Sequence, residues 1–182
     1  MKNEFDAARL DVKAFAQDGG ELSGQDALGR YERLMAETRG QGGDSLLGWT
    51  ASGELKPVLG APGEIWLHLR AEATLPLTCQ RCLGPVQWPV VAERSFRFVA
   101  DEAAALAQDD EAEEDLLVLS RAFDLRGLIE DEILMALPLV PRHDICPTDV
   151  KLAVADEAFE DETQAKPNPF AVLAKLQGRK PS

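Results

Sequence analysis

The chain has 182 residues, 45% of them hydrophobic, a composition that fits one buried core with tails more easily than two domains. It carries 19 Lys and Arg against 32 Asp and Glu, a net charge of −13, which excludes a general polyanion binder. No stretch approaches the roughly 18 apolar residues of a membrane span, the start MKNEFDAARLD is charged and interrupted, and three cysteines fit a reducing compartment, so a cytoplasmic protein is expected.

The charge is uneven. Residues 1–100 hold 11 basic against 13 acidic side chains, while residues 101–182 hold 8 against 19. Any contact with RNA must be local or go through a partner.

In chain order, Phe5, Ala8, Leu10, Val12 and Phe15 sit among charges before Gly19 and Gly20, a pattern compatible with a short docked helix. Ser23 followed by Asp26 resembles a capping box, and Ala27, Leu28, Tyr31, Leu34 and Met35 form one apolar stripe, so a helix is predicted over 25–37. Two short strands, 46–50 and 54–59, are expected on either side of Ser52 and Gly53. From 64 to 78 the residues Ile65, Leu67, Leu69, Ala71, Ala73, Leu75 and Leu77 share one parity, while Trp66, His68, Arg70, Glu72 and Thr74 share the other. That alternation is a long strand with one buried face. After the turn CQRCLGP, Val86, Trp88, Val90, Ala92, Phe96 and Phe98 repeat it, which predicts an antiparallel hairpin inside a sheet of four to six strands.

The acidic run Asp109, Asp110, Glu111, Glu113, Glu114 and Asp115 should stay solvated, with a short strand returning over 116–119. The best-signalled element follows. Asp124 is an N-cap, Leu125, Leu128, Ile129, Ile133 and Ala136 recur at helical spacing, and Pro138 stops the ladder, so a helix is predicted over 125–137. Pro138 and Pro141 then favour an extended path that delivers His143 and Cys146 to a fixed place. Residues 147–165 read as a mobile acidic linker. In KPNPFAVLAKLQGRKPS, Asn168 and Pro169 open a short, weakly basic amphipathic helix whose apolar face is Phe170, Leu173 and Leu176. The predicted fold is α+β: a mainly antiparallel sheet over 44–120, N-terminal helices within 1–40, and two to three packing helices in a domain over 1–146. Residues 147–182 form linker and docking peptide.

Two pairs of residues carry metal chemistry. Cys79 and Cys82 form a CxxC at the hairpin turn, and His143 and Cys146 form an HxxC after the helix. Together they suit a closed tetrahedral zinc site that staples the turn to a distant segment. Spacing alone fixes no ligand geometry, so the expectation is a knuckle-shaped turn with reduced thiols, a His and a Cys that merely pack or face solvent, and no cofactor, with zinc as the alternative. A thioredoxin-like role fits less well, because that CxxC opens a helix and this one links two strands. Glu130, Asp131 and Glu132 are consecutive on the helix and point in different directions, with Glu132 nearer the core. They are better partner determinants than an acid–base pair. His68 has no obvious nucleophile, and no phosphate-loop, GxSxG or HExxH pattern occurs.

With CQRCLGP at 79–85, DLRGLIEDEILMALPLVPRH at 124–143 followed by Cys146, and KPNPFAVLAKL at 166–176, the sequence closely resembles the YceD family of bacterial large ribosomal RNA subunit accumulation proteins. The resemblance covers most of the chain from about Trp49 onward. It implies a role in synthesis, processing or stability of 23S ribosomal RNA and no known enzyme activity, small-molecule substrate or membrane partner. An RNA-processing hydrolase is the opposing reading. Two routes reconcile the role with the charge. Arg81, Arg94, Arg97, Arg142 and the tail residues Phe170 and Lys175 touch precursor RNA directly, or the acidic surface with Glu130 and Asp131 holds a basic ribosomal protein or processing factor. The net charge favours the second.

Overall fold

The computed structural model describes residues 5–149. Helix α1 (Val12–Gln17) leads to strand β1 (Glu21–Ala27), a 3-10 turn (Leu28–Arg30) and helix α2 (Glu32–Glu37). Strands β2 (Leu46–Val58), β3 (Ala61–Thr78) and β4 (Pro85–Val99) follow, then α3 (Glu102–Gln108), β5 (Asp115–Val118) and α4 (Leu125–Met135). The five strands lie side by side in chain order, antiparallel except for the parallel pair of β4 and β5. A parallel pair needs a crossover connection, and α3 lies in it.

The alternating residues of β3 and β4 build a one-sided sheet. Trp49 pairs with Ala71, and Ala71 with Ala92, so the three buried side chains share one face. Arg70, Glu72 and Glu93 stand exposed on the other. Helices α1 and α4 cover the apolar face with Phe15, Ile129 and Ile133, all fully buried. Leu10 and Phe123 exchange backbone hydrogen bonds of 2.8 and 2.9 Å, tying the segment before α1 to the residue before the N-cap of α4.

The α+β class, the β3–β4 hairpin and the helix after Asp124 agree with expectation. The Asp124 side chain accepts the Gly127 N–H at 3.0 Å, and α4 ends at Met135, two residues before the predicted 137. The helix over 25–37 does not. Residues 21–27 form a strand that extends the sheet well before residue 44, and only Glu32–Glu37 is helical beyond it. Asp26 lies in β1, and its carboxylate accepts from the side chains of Arg30, Tyr31 and Trp49. The two short strands at 46–50 and 54–59 are one strand of 13 residues.

Gly53 sits where α1 crosses that strand. A Cβ there would lie 2.7 Å from Phe15 Cδ1 and 2.9 Å from Ala16 Cα, so the missing side chain lets α1 rest its backbone on β2. Gly53→Ala should therefore cost about 1–3 kcal/mol through overpacking, read from the urea midpoint. An unchanged midpoint would show that α1 does not need this close approach.

The acidic run is only partly solvated. Arg97 binds Glu114 and donates to Gln108 Oε1 at 2.8 Å, and Arg94 binds Asp115. These pairs dock the end of the run on β4. The expected linker beyond residue 149 and the C-terminal helix with Phe170 and Lys175 lie outside the described residues.

Candidate metal centre and its exposed tip

The β3–β4 hairpin ends in a tight knuckle. The Cys79 N–H donates to the Gly84 carbonyl and the Leu83 N–H to the Cys79 carbonyl, both at 2.9 Å. Leu83 adopts φ +59°, a left-handed conformation that costs a non-glycine residue roughly 1–2 kcal/mol. Something at the knuckle must hold it.

Pro138 ends the helical path after α4, and the chain runs back toward this turn. The Gln80 N–H donates to the Pro141 carbonyl at 2.8 Å, bringing His143 and Cys146 over the two cysteines. Cys79 Sγ lies 3.9 Å from Cys146 Sγ, and Cys82 Sγ lies 3.5 Å from His143 Nδ1. One donor atom from each of the four residues falls within 4.8 Å of all the others. All three cysteines are free, Cys79 is buried, and the other three ligands are half-buried.

The electrostatics favour thiolate. Burial alone would raise the Cys79 thiol, but the backbone N–H groups of Cys82, His143 and Arg81 outweigh it and bring it down from 9.0 to about 5. The Gly84 N–H acts to lower Cys82, yet desolvation and the neighbouring sulfurs of Cys79 and Cys146 push it above its ordinary value. One thiol is readily ionised here.

Five other predicted site residues have internal partners. Arg81 Nε donates to Cys146 Sγ at 3.1 Å, and its Nη2 donates to the His143 and Asp144 carbonyls at 3.0 and 3.2 Å. Arg94 and Arg97 are engaged with Asp115 and Glu114, and Arg94 Nε also sits 3.7 Å from Glu132. Desolvation raises the Glu132 carboxyl against the lowering effect of Arg94. Glu130 is not on the surface: it is 9% exposed and accepts the Arg33 and Leu34 backbone N–H groups at 2.7 and 3.2 Å. Those amides begin α2, whose N-cap Tyr31 offers no side-chain cap. Asp131 is exposed and pairs with Arg33. Arg142 is exposed and, among the described residues, unpaired.

Leu83, Leu139, Val140 and Ile145 are exposed beside the four donors in sequence, and Met135, Leu137 and Leu139 line a cleft of about 620 Å³ with Leu77 and Gln80. Sequence reasoning missed this exposed apolar surface and the bonds of Arg81 to the Cys146 segment. The exposed apolar pair between two prolines was its one legible trace.

The model of the family described as "Large ribosomal RNA subunit accumulation protein YceD" matches residues 67–177. The chain belongs to the YceD family. The match contains all four donors, whereas α1, β1, α2 and β2 precede it. A YceD-family relative, the large ribosomal RNA subunit accumulation protein of Haemophilus influenzae, is 34% identical over 113 residues. That alignment covers 59% of this chain and 63% of the relative. No solved structure matches the chain. No helix among the described residues is long and apolar enough to cross a membrane.

Proposed function

We propose that the protein is a ribosome biogenesis factor that supports the accumulation of 23S ribosomal RNA by binding and recruitment, without catalysis. The observation that carries this reading is the convergence of two segments, 61 to 67 residues apart and both inside the family match, into one exposed tip. A zinc ion in the Cys3His group fastens them. The tip presents Leu139, Val140, Ile145 and the exposed Arg142, a surface suited to an apolar segment of a protein partner.

The adaptor form is favoured over direct RNA contact because Arg81, Arg94 and Arg97 all have partners within the chain. The acids offered to a partner reduce to Asp131, since Glu130 and Glu132 are buried. In a strain lacking the protein, 23S RNA should fall relative to 16S RNA, and wild-type chain should restore it. The double substitution Leu139→Asp, Val140→Asp alters only exposed side chains and should fail to restore 23S levels while leaving the melting temperature unchanged. Full restoration would remove the tip from the mechanism. Ultraviolet crosslinking of the tagged chain in cells should recover little precursor RNA, and dense crosslinks to 23S precursor would replace the adaptor with a direct RNA binder.

A further inference from the structure

Two of the donor–donor distances within the Cys3His group match a tetrahedron around one ion, and all four donor atoms lie within 4.8 Å of one another. With Zn–S of about 2.3 Å and Zn–N of about 2.0 Å, tetrahedral angles place two sulfurs about 3.8 Å apart and a sulfur and a nitrogen about 3.5 Å apart. The two observed separations are 3.9 and 3.5 Å. A disulfide would instead need sulfurs about 2.0 Å apart.

The histidine ring is oriented for ligation through Nδ1. Its Nε2 lies 3.0 Å from the Pro85 carbonyl, which can only accept, so Nε2 is the donor and Nδ1 is the nitrogen that faces the sulfurs. Metal-bound histidines commonly use their second nitrogen in this way. Three thiolates and a neutral imidazole around a divalent ion leave a net charge of −1. The Arg81 guanidinium, bonded to Cys146 Sγ and to two carbonyls of the same segment, brings the total to zero.

We propose that Cys79, Cys82, Cys146 and His143 Nδ1 form a closed structural zinc centre in which Arg81 is the outer-shell partner that offsets the net charge. This rests on the zinc reading of the proposed function and adds the coordination mode and the role of Arg81. Four protein donors leave no open position for water or substrate, so the ion holds structure and activates nothing. On binding, the thiol protons pass to solvent and the imidazole keeps its Nε2 proton. The energy of closing the site also holds Leu83 in its left-handed conformation.

The test uses the full chain, purified without chelator and assayed for metal by mass spectrometry. About one zinc per chain is expected. Growth with cobalt should yield protein with the intense visible bands of a tetrahedral thiolate site, and His143→Cys should keep the metal while shifting those bands. Arg81→Gln should fold and bind zinc, yet lose it to a competing chelator about ten-fold more readily. Folded wild-type chain that holds no zinc and takes up no cobalt would overturn the metal centre. Zinc held equally tightly by Arg81→Gln would overturn the role of Arg81 alone. Neither result depends on 23S levels, so the recruitment reading stands or falls separately.

Discussion

Asp26→Ala should lower the unfolding free energy by about 3–5 kcal/mol, the range for removing one partner from a buried charged network. Asp26 is 6% exposed and accepts from Arg30 Nη1 at 2.6 Å, Trp49 Nε1 at 2.9 Å and the Tyr31 hydroxyl at 3.1 Å. Truncation leaves the indole and phenol donors without an acceptor beneath the sheet. Against a typical total of about 5–15 kcal/mol, that loss is large.

The same group sets an acid limb. Burial acts to raise the Asp26 carboxyl, but the hydrogen bonds from Trp49, Arg30 and Tyr31 overcome it and hold the group below its ordinary 3.8. Its unfolded value is the higher one, so its stabilisation is complete above that value and is lost as pH falls through the depressed folded value. Urea midpoints of wild type and Asp26→Asn at about pH 7 and about pH 3 check the sign. The wild type should lose more stability on acidification than the variant, and equal losses would show that the carboxylate is not what the three donors bind.

Glu130→Ala should cost about 2–4 kcal/mol, because it removes a buried carboxylate that satisfies two backbone donors and one guanidinium. Glu130 Oε1 receives the Arg33 and Leu34 N–H groups, and Oε2 receives Arg33 Nε at 3.0 Å. Helix α2 has six residues and no side-chain cap of its own, so it depends on a carboxylate delivered from α4. Hydrogen exchange at the Arg33 and Leu34 amides should speed up with the global loss. Asp131→Ala, at a half-exposed ion pair with Arg33, should stay within about 1 kcal/mol of wild type. If the two variants were equally stable, α2 would not need this cap. Because Glu130 acts through the fold, a functional defect in this variant would mark neither a contact nor a catalyst.

Elements whose signals are local were legible in the chain. The parity of Ile65 to Leu77 wrote one face of β3, and Asp124 with Pro138 bracketed α4. The CxxC and HxxC pairs were legible as candidate donors by residue type and spacing, and the fold brings their donor atoms within 4.8 Å of one another. The 25–37 stripe misled, because Leu28, Tyr31 and Leu34 reach the core through a strand end, a 3-10 turn and a short helix as well as they would along one long helix. Asp26 signals a cap when read locally, and only the fold brings Trp49 to it.

Short-range signals wrote the sheet-and-helix class, the hairpin, the capped α4 and the identity of four soft and borderline donors, since periodicity, caps and ligand type act over a few residues. It took the folded chain to turn His143 Nδ1 toward Cys82 across 61 residues, to close Arg81 over Cys146, and to let Glu130 cap a helix 97 residues earlier. Such contacts join segments with no shared local pattern. They form because burying the apolar face of one sheet under α1 and α4 leaves a few polar groups with a single place to be satisfied.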